Sequence, residues 1–200
     1  LSSISYLKND GTTEPSCNIE DLEKNNEDLL LLTGNYKNFF GKLFHKNKLK
    51  DFEQILNSLK NDFKDRLYIE IQRHNEHQEK NFENYLLNIS KSLHLPLIAT
   101  QEIFYLDENM YEAHDALICI GEKNFVDDKN RFKYSNNHYF KSQADLEKLY
   151  SDIPEALENN YNFHLRFNFK PKNSKPILPS IANKEANSPE EELSKLAKKG

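Results

Sequence analysis

The sequence predicts an α/β fold in which parallel strands are joined by amphipathic helices. Three observations within residues 67–106 predict it. Leu67, Ile69 and Ile71 alternate with Tyr68, Glu70 and Gln72, the period of two that a strand imposes. Phe82, Tyr85, Leu86, Ile89 and Leu93 then recur at three- and four-residue steps with Lys80, Glu83, Asn84 and Lys91 between them, which makes a helix with one buried stripe. Pro96 forbids helical continuation, and Leu97, Ile98 and Ala99 form a short apolar run suited to a strand covered on both faces. Strand, helix and strand in that order make a parallel crossover unit. Ligands gather beyond the carboxyl ends of such strands, here Gln72-Arg73-His74 and Thr100-Gln101-Glu102.

The flanking elements follow from the same rules. Leu1, Ile4 and Leu7 have helical spacing, and Asn9-Asp10-Gly11 supplies a turn. Asn18 before Glu20 and Asp21 is capping chemistry for a short helix within 16–26. The apolar run 29–32, bounded by Asp28 and Thr33-Gly34, reads as a buried strand that delivers the loop Thr33-Gly34-Asn35. Tyr36, Phe39, Phe40, Leu43 and Phe44 form an aromatic stripe, and Leu49, Phe52, Ile55, Leu56, Leu59 and Phe63 repeat it, so two covering helices precede the strand at Leu67. Beyond the central unit a helix is expected from Asp107 to about Ile120, burying Tyr111, Ala113, Ala116, Leu117 and Ile120 and stopping at Gly121. Residues 124–138 read as a loop with a small β element, Ser142 caps a helix through Leu149, and Pro154 opens another to about Asn162. From Phe163 the prolines describe an extended linker, and Ser188-Pro189-Glu190-Glu191 starts a last helix.

Several strings in this order carry a family resemblance. They are Asp28 to Gly34 (DLLLLTG), Glu70 to His74 (EIQRH), Ala99 to Glu102 (ATQE), Glu112 to Leu117 (EAHDAL) and Asp152 to Asn159 (DIPEALEN). Together they resemble the PHP (polymerase and histidinol phosphatase) domain of the bacterial DNA polymerase III alpha subunits, over essentially the whole chain. The resemblance implies a partial, TIM-like PHP β/α barrel. Residues 1–165 would be its C-terminal half, and 166–200 the linker and first helix leading into the polymerase palm region. It implies an internal piece of a longer DNA-directed DNA polymerase in a cytoplasmic replisome. Mg²⁺ would act in the polymerase core outside this piece, which would itself bind no cofactor. The implied partners are the proofreading exonuclease subunit and other replisome subunits, with DNA and dNTPs met elsewhere in the parent and no membrane. A free-standing PHP phosphoesterase is the alternative.

Metal-binding PHP domains imply a Cys at the position of Asn35 and an Asp-x-His pair at Glu102 and Phe104. All three depart from that pattern, so they are read as vestigial metal positions. An amide is a poor substitute for a thiolate, and Phe104 offers no lone pair. Phe104 is expected instead to fill the vacated mouth of the barrel. No catalytic, cofactor-binding or metal-binding residue is assigned within the chain. His74 and His114 are read as hydrogen-bonded or surface residues, and Glu70 as a partner for Arg73 or for a residue of the missing half.

Composition narrows the function classes. With 37% apolar and 30% charged residues the chain is globular in character, and its net charge of −5 argues against a major nucleic-acid surface. Cys17 and Cys119 lack metal-ligand spacing and read as reduced thiols. No apolar run is long enough to span a membrane.

Overall fold

β2, Leu67–Ile71, is buried at all five positions, as expected of a strand covered on both faces. β1, Leu31–Leu32, and β3, Leu97–Ala99, pair with it in parallel on either side, giving the order β1-β2-β3. Leu31 lies opposite Leu67, and Ile69, Glu70 and Ile71 lie opposite Leu97, Ile98 and Ala99. The structure is a computed structural model that describes residues 1–9, 11–176 and 188–199. Residues 1–166 form one compact unit and 167–200 a second.

The helices of the first unit are those the periodicities predict. α1 is Ser2–Lys8 and α2 is Ile19–Lys24, the latter opened by a capping box between Asn18 and Asp21. α3, Phe39–His45, and α4, Leu49–Phe63, connect β1 to β2 and press Phe40, Phe52, Leu56, Leu59 and Phe63 onto the sheet. Gly41 is required there, because a Cβ would lie 1.9 Å from the Tyr36 carbonyl oxygen. α5, Glu79–Leu93, carries β2 to β3 and buries Phe82, Leu86 and Ile89. His94, in the left-handed conformation at φ 51°, ends it before Pro96. α6 is Tyr111–Glu122, α7 is Gln143–Leu149 with a Ser142–Asp145 capping box, and α8 is Pro154–Phe163 with proline in its first turn. Tyr150, Ile153 and Ala156 complete the core. In the second unit, α9 is Pro189–Lys199, and part of the expected linker, 177–187, lies outside the described residues.

The α/β expectation is met by a small parallel sheet, which among the described residues has three strands and is not a closed barrel. Its β3 edge is covered by α8, where Asn159 Nδ2 donates to the Leu97 carbonyl at 2.8 Å and Asn160 Nδ2 to the Ala99 carbonyl. One expectation is corrected at α6, which turns a different face inward. It buries Asp115 and Cys119, while Leu117 and Ile120 are 64% and 75% exposed and Ala113 is exposed. The reason is Arg131, whose guanidinium grips the Asp115 carboxylate at 2.6 and 2.5 Å and fixes the helix rotation through a buried ion pair. Gly121 does not stop the helix, which runs to Glu122 and ends at Lys123 in the left-handed conformation.

Candidate functional site at the strand carboxyl ends

The carboxyl ends of the three strands meet in a polar network organised by Glu70. Its buried carboxylate accepts from the Gly34 amide at 3.0 Å, from Gln72 Nε2 at 3.0 Å and from the Thr100 hydroxyl, while its own amide donates to Thr33 Oγ1 at 3.0 Å. Gly34, at φ +81°, provides the turn that aims its amide inward. Each loop after a strand thus contributes one bond to a single carboxylate. Of the two partners the sequence left open for Glu70, Arg73 is not one it meets, because the guanidinium is engaged with Glu83 and Asp152.

Arg73 serves a second carboxylate. Nε and Nη2 donate to Glu83 at 3.0 and 2.7 Å, Nη1 and Nη2 donate to Asp152 at 2.6 and 2.8 Å, and Nη1 also reaches the Leu149 carbonyl at 2.5 Å. The guanidinium holds the Asp152 carboxyl below its usual range, and the two carboxylates raise Arg73 further above neutrality. One side chain thereby ties β2 to α5 and to the turn between α7 and α8.

The mouth above these strands is built on two stacked imidazoles. His74 and His138 lie with ring centroids 4.1 Å apart and planes 1° from parallel, and they are 3% and 1% exposed. His74 Nε2 accepts from the Glu102 amide at 3.2 Å. The His74 backbone amide donates to Glu79, and the His74 carbonyl accepts from the Ser135 hydroxyl. His138 Nδ1 faces the Glu102 carbonyl at 3.1 Å and Nε2 faces Glu76 Oε1 at 3.3 Å. Glu76 also accepts from the Ser135 amide at 3.1 Å, and the Phe104 amide donates to the His138 carbonyl at 2.9 Å. This latch holds the loop before α7 down onto the ends of β2 and β3.

The latch has a pH signature. Both ring nitrogens of His138 face acceptors, which favours the imidazolium, but burial first and the His74 ring second push its pKa below 6.5. The unfolded chain therefore takes up a proton that the folded chain resists, and stability falls progressively as pH drops below 6.5. At Glu76 burial acts to raise the carboxyl, but the Ser135 amide, His138 and Lys37 together outweigh it and hold the group below 4.5, which adds a loss in the same direction at still lower pH. Thermal melts at pH 7.5 and 5.5 should show a lower midpoint at the acid value, and His138→Gln should flatten that difference. An unchanged slope in the variant would assign the acid sensitivity elsewhere.

Sequence comparison gives this geometry its context. No family model matches the chain. It is 34% identical over 185 residues to the DNA polymerase III subunit alpha of Rickettsia bellii, covering 92% of this chain and 16% of that protein. It is 32% identical over 200 residues to the subunit of the same name in Caulobacter vibrioides, with 100% and 18% covered. The Vibrio cholerae subunit is 28% identical over 182 residues, with 90% and 16% covered. The chain belongs with the DNA polymerase III alpha subunits. It spans about one sixth of the length of the curated alpha subunits it matches.

Asn35, Glu102 and Phe104, the positions that the sequence reading compares with metal ligands, are brought to the same end of the sheet and are engaged with protein partners. Asn35 Nδ2 donates to Gln72 Oε1 at 3.0 Å, and its Oδ1 accepts from the Lys37 amide at 2.9 Å. The Glu102 carboxylate lies 3.7 Å from His138 Nδ1. Phe104 stacks between His114 and His138, at centroid distances of 5.2 and 5.0 Å. It is 38% exposed and caps the latch. Among the described residues no group of three or more His, Cys, Asp or Glu is placed to hold a metal ion.

Of the two candidate histidines, His74 is hydrogen-bonded as expected. His114 sits half-buried in an aromatic cluster with Phe104, Tyr105 and Tyr134, and its Nδ1 has no hydrogen-bond partner among the described residues. Sequence reasoning missed His138, Glu76 and Glu79. Each lies in a loop or at a helix start without periodicity, and His138 is separated from His74 by a long stretch of chain that only the fold closes.

Proposed function

We propose that this chain is a scaffold segment of a replicative DNA polymerase III alpha subunit, forming the C-terminal half of a PHP domain with a degenerate metal site. The single observation that carries this reading is the alpha-subunit similarity over 90–100% of the chain at 28–34% identity. The parent polypeptide would perform template-directed nucleotidyl transfer with Mg²⁺ bound in its polymerase core, in the cytoplasm. Residues 1–165 would complete a TIM-like barrel with strands from elsewhere in the parent and dock the proofreading exonuclease subunit, while 166–200 would lead toward the palm. A net charge of −5 supports a protein partner over DNA for this segment. Among the described residues no helix is long and apolar enough to cross a membrane.

What this segment would do itself is position. Arg73, Glu70 and the His74–His138 latch fix the loops at the strand ends in place, with no hydrolytic group among them. The test uses the full-length parent and a form lacking residues 1–165. Affinity capture should retain the exonuclease subunit with the first and lose it with the second, and equal retention would remove the docking role. Primer extension by the full-length parent tests the polymerase assignment, and absence of template-directed synthesis would remove it.

A further inference from the structure

Lys141, just before the Ser142 cap of α7, is 8% exposed. Its ammonium donates to the Asn137 carbonyl and lies 4.2 Å from the centroid of the Tyr139 ring, but among the described residues it makes no ion pair. Burial pushes it below its ordinary value, and Asp145, Glu108 and Glu79 act on it through space without touching it. A buried ammonium is costly unless an anion meets it. Lys141 lines a cavity of about 340 Å³ walled by the end of β3, α7 and α8. Gln101 lines the same cavity, and its buried Nε2 has no hydrogen-bond partner among the described residues. The other polar groups around it are satisfied: Asn160 donates to the Ala99 carbonyl, the Tyr150 hydroxyl to the Thr100 carbonyl at 3.4 Å, and the Thr100 hydroxyl to Glu70. The rest of the wall is apolar, from Leu146, Leu157 and the exposed Ile103 and Phe140.

We infer that this cavity is a binding site for a carboxylate carried on an apolar body, held by Lys141 and Gln101. Both unmatched groups are N–H donors, so the ligand group they fit is one that only accepts, and a cation or an amine does not match. A single ammonium balances the single charge of a carboxylate, whereas a phosphate near −2 would leave charge uncompensated against apolar walls. The volume is that of a small-molecule site, and Leu146, Leu157, Ile103 and Phe140 offer the ligand's body a surface removed from water. Two sources present this chemistry: a free carboxylic acid, or an Asp or Glu flanked by apolar residues in the polypeptide beyond this chain, which matches only 18% of the Caulobacter subunit.

Ligand-observed NMR on the full-length polypeptide, titrated with hexanoate, tests the free acid. Hexanoate should bind with a dissociation constant of about 1 mM or tighter, and hexanol, which keeps the body and loses the charge, at least about tenfold more weakly. Lys141→Met should weaken hexanoate at least about tenfold and Gln101→Leu about threefold. Equal binding of hexanoate and hexanol, or of hexanoate to wild type and to Lys141→Met, would overturn the inference. If Lys141→Met fails to fold, Gln101→Leu and the hexanol comparison decide. Carbodiimide coupling followed by peptide mapping tests the second source. An amide joining Lys141 to an Asp or Glu outside residues 1–200, with no binding of hexanoate, would assign the carboxylate to the polypeptide itself. Coupling to Asp145, Glu108 or Glu79 would give Lys141 its anion within this chain and overturn the inference, as would the absence of both hexanoate binding and a coupled carboxylate. None of these readouts measures nucleotidyl transfer or exonuclease capture, so failure of those assignments and failure of this site are separate results.

Discussion

Arg73→Ala should cost about 3–5 kcal/mol of stability, the range found when one partner of a buried ion pair is removed. The cost arises chiefly at Glu83, which is 4% exposed in its side chain and would keep only Lys80 Nζ at 3.0 Å as a charged partner. At the usual scaling for a chain of this size the melting midpoint falls by roughly 6–20 °C. Asp152 is itself more than half exposed and contributes less, because water screens it. Arg73→Lys retains the charge but not the fork that serves two carboxylates, so it should fall between wild type and Arg73→Ala. The double variant Arg73→Met with Glu83→Leu replaces the pair by apolar groups and should recover most of the loss. Chemical denaturation of the four proteins checks the series, and an Arg73→Ala variant within about 1 kcal/mol of wild type would show that this node does not hold the strand ends.

Phe52→Ala should be comparably damaging, at about 3–5 kcal/mol, for a different reason. Its ring is 0% exposed and packs 4.8 Å from Phe40 and 5.1 Å from Tyr85, centroid to centroid, where α3, α4 and α5 meet. Truncation leaves a cavity between helices that cannot collapse without moving the sheet they cover. Phe39, in the aromatic stripe of the preceding helix, is 45% exposed, and Phe39→Ala should cost no more than about 1 kcal/mol. Equal losses at the two positions would mean that the sequence stripe, and not the observed burial, describes the core.

That comparison marks how far the sequence reaches. The periodicities of Leu67-Ile69-Ile71 and of Phe82-Leu86-Ile89 determine a strand and a helix, because alternation and 3.6-residue spacing are local consequences of backbone geometry. Asn18, Ser142 and Pro154 likewise determine helix starts, since capping involves only neighbouring residues. The parallel order of β1, β2 and β3 follows from strands separated by helices. The ordered strings that carry the alpha-subunit resemblance are also properties of sequence alone.

Only the tertiary structure decided which faces and which partners those elements use. Leu117 and Ile120 have the spacing of a buried stripe, yet the long-range pair between Asp115 and Arg131 turns α6 so that they face outward. Glu70 reads as the polar side of a half-exposed strand, yet it is buried because loops from three separate strands converge on it. His74 and His138 carry no mutual signal in the sequence. Their stacking depends on closing a loop of more than sixty residues, which is set by the packing of α5 and β3 between them and by no local preference.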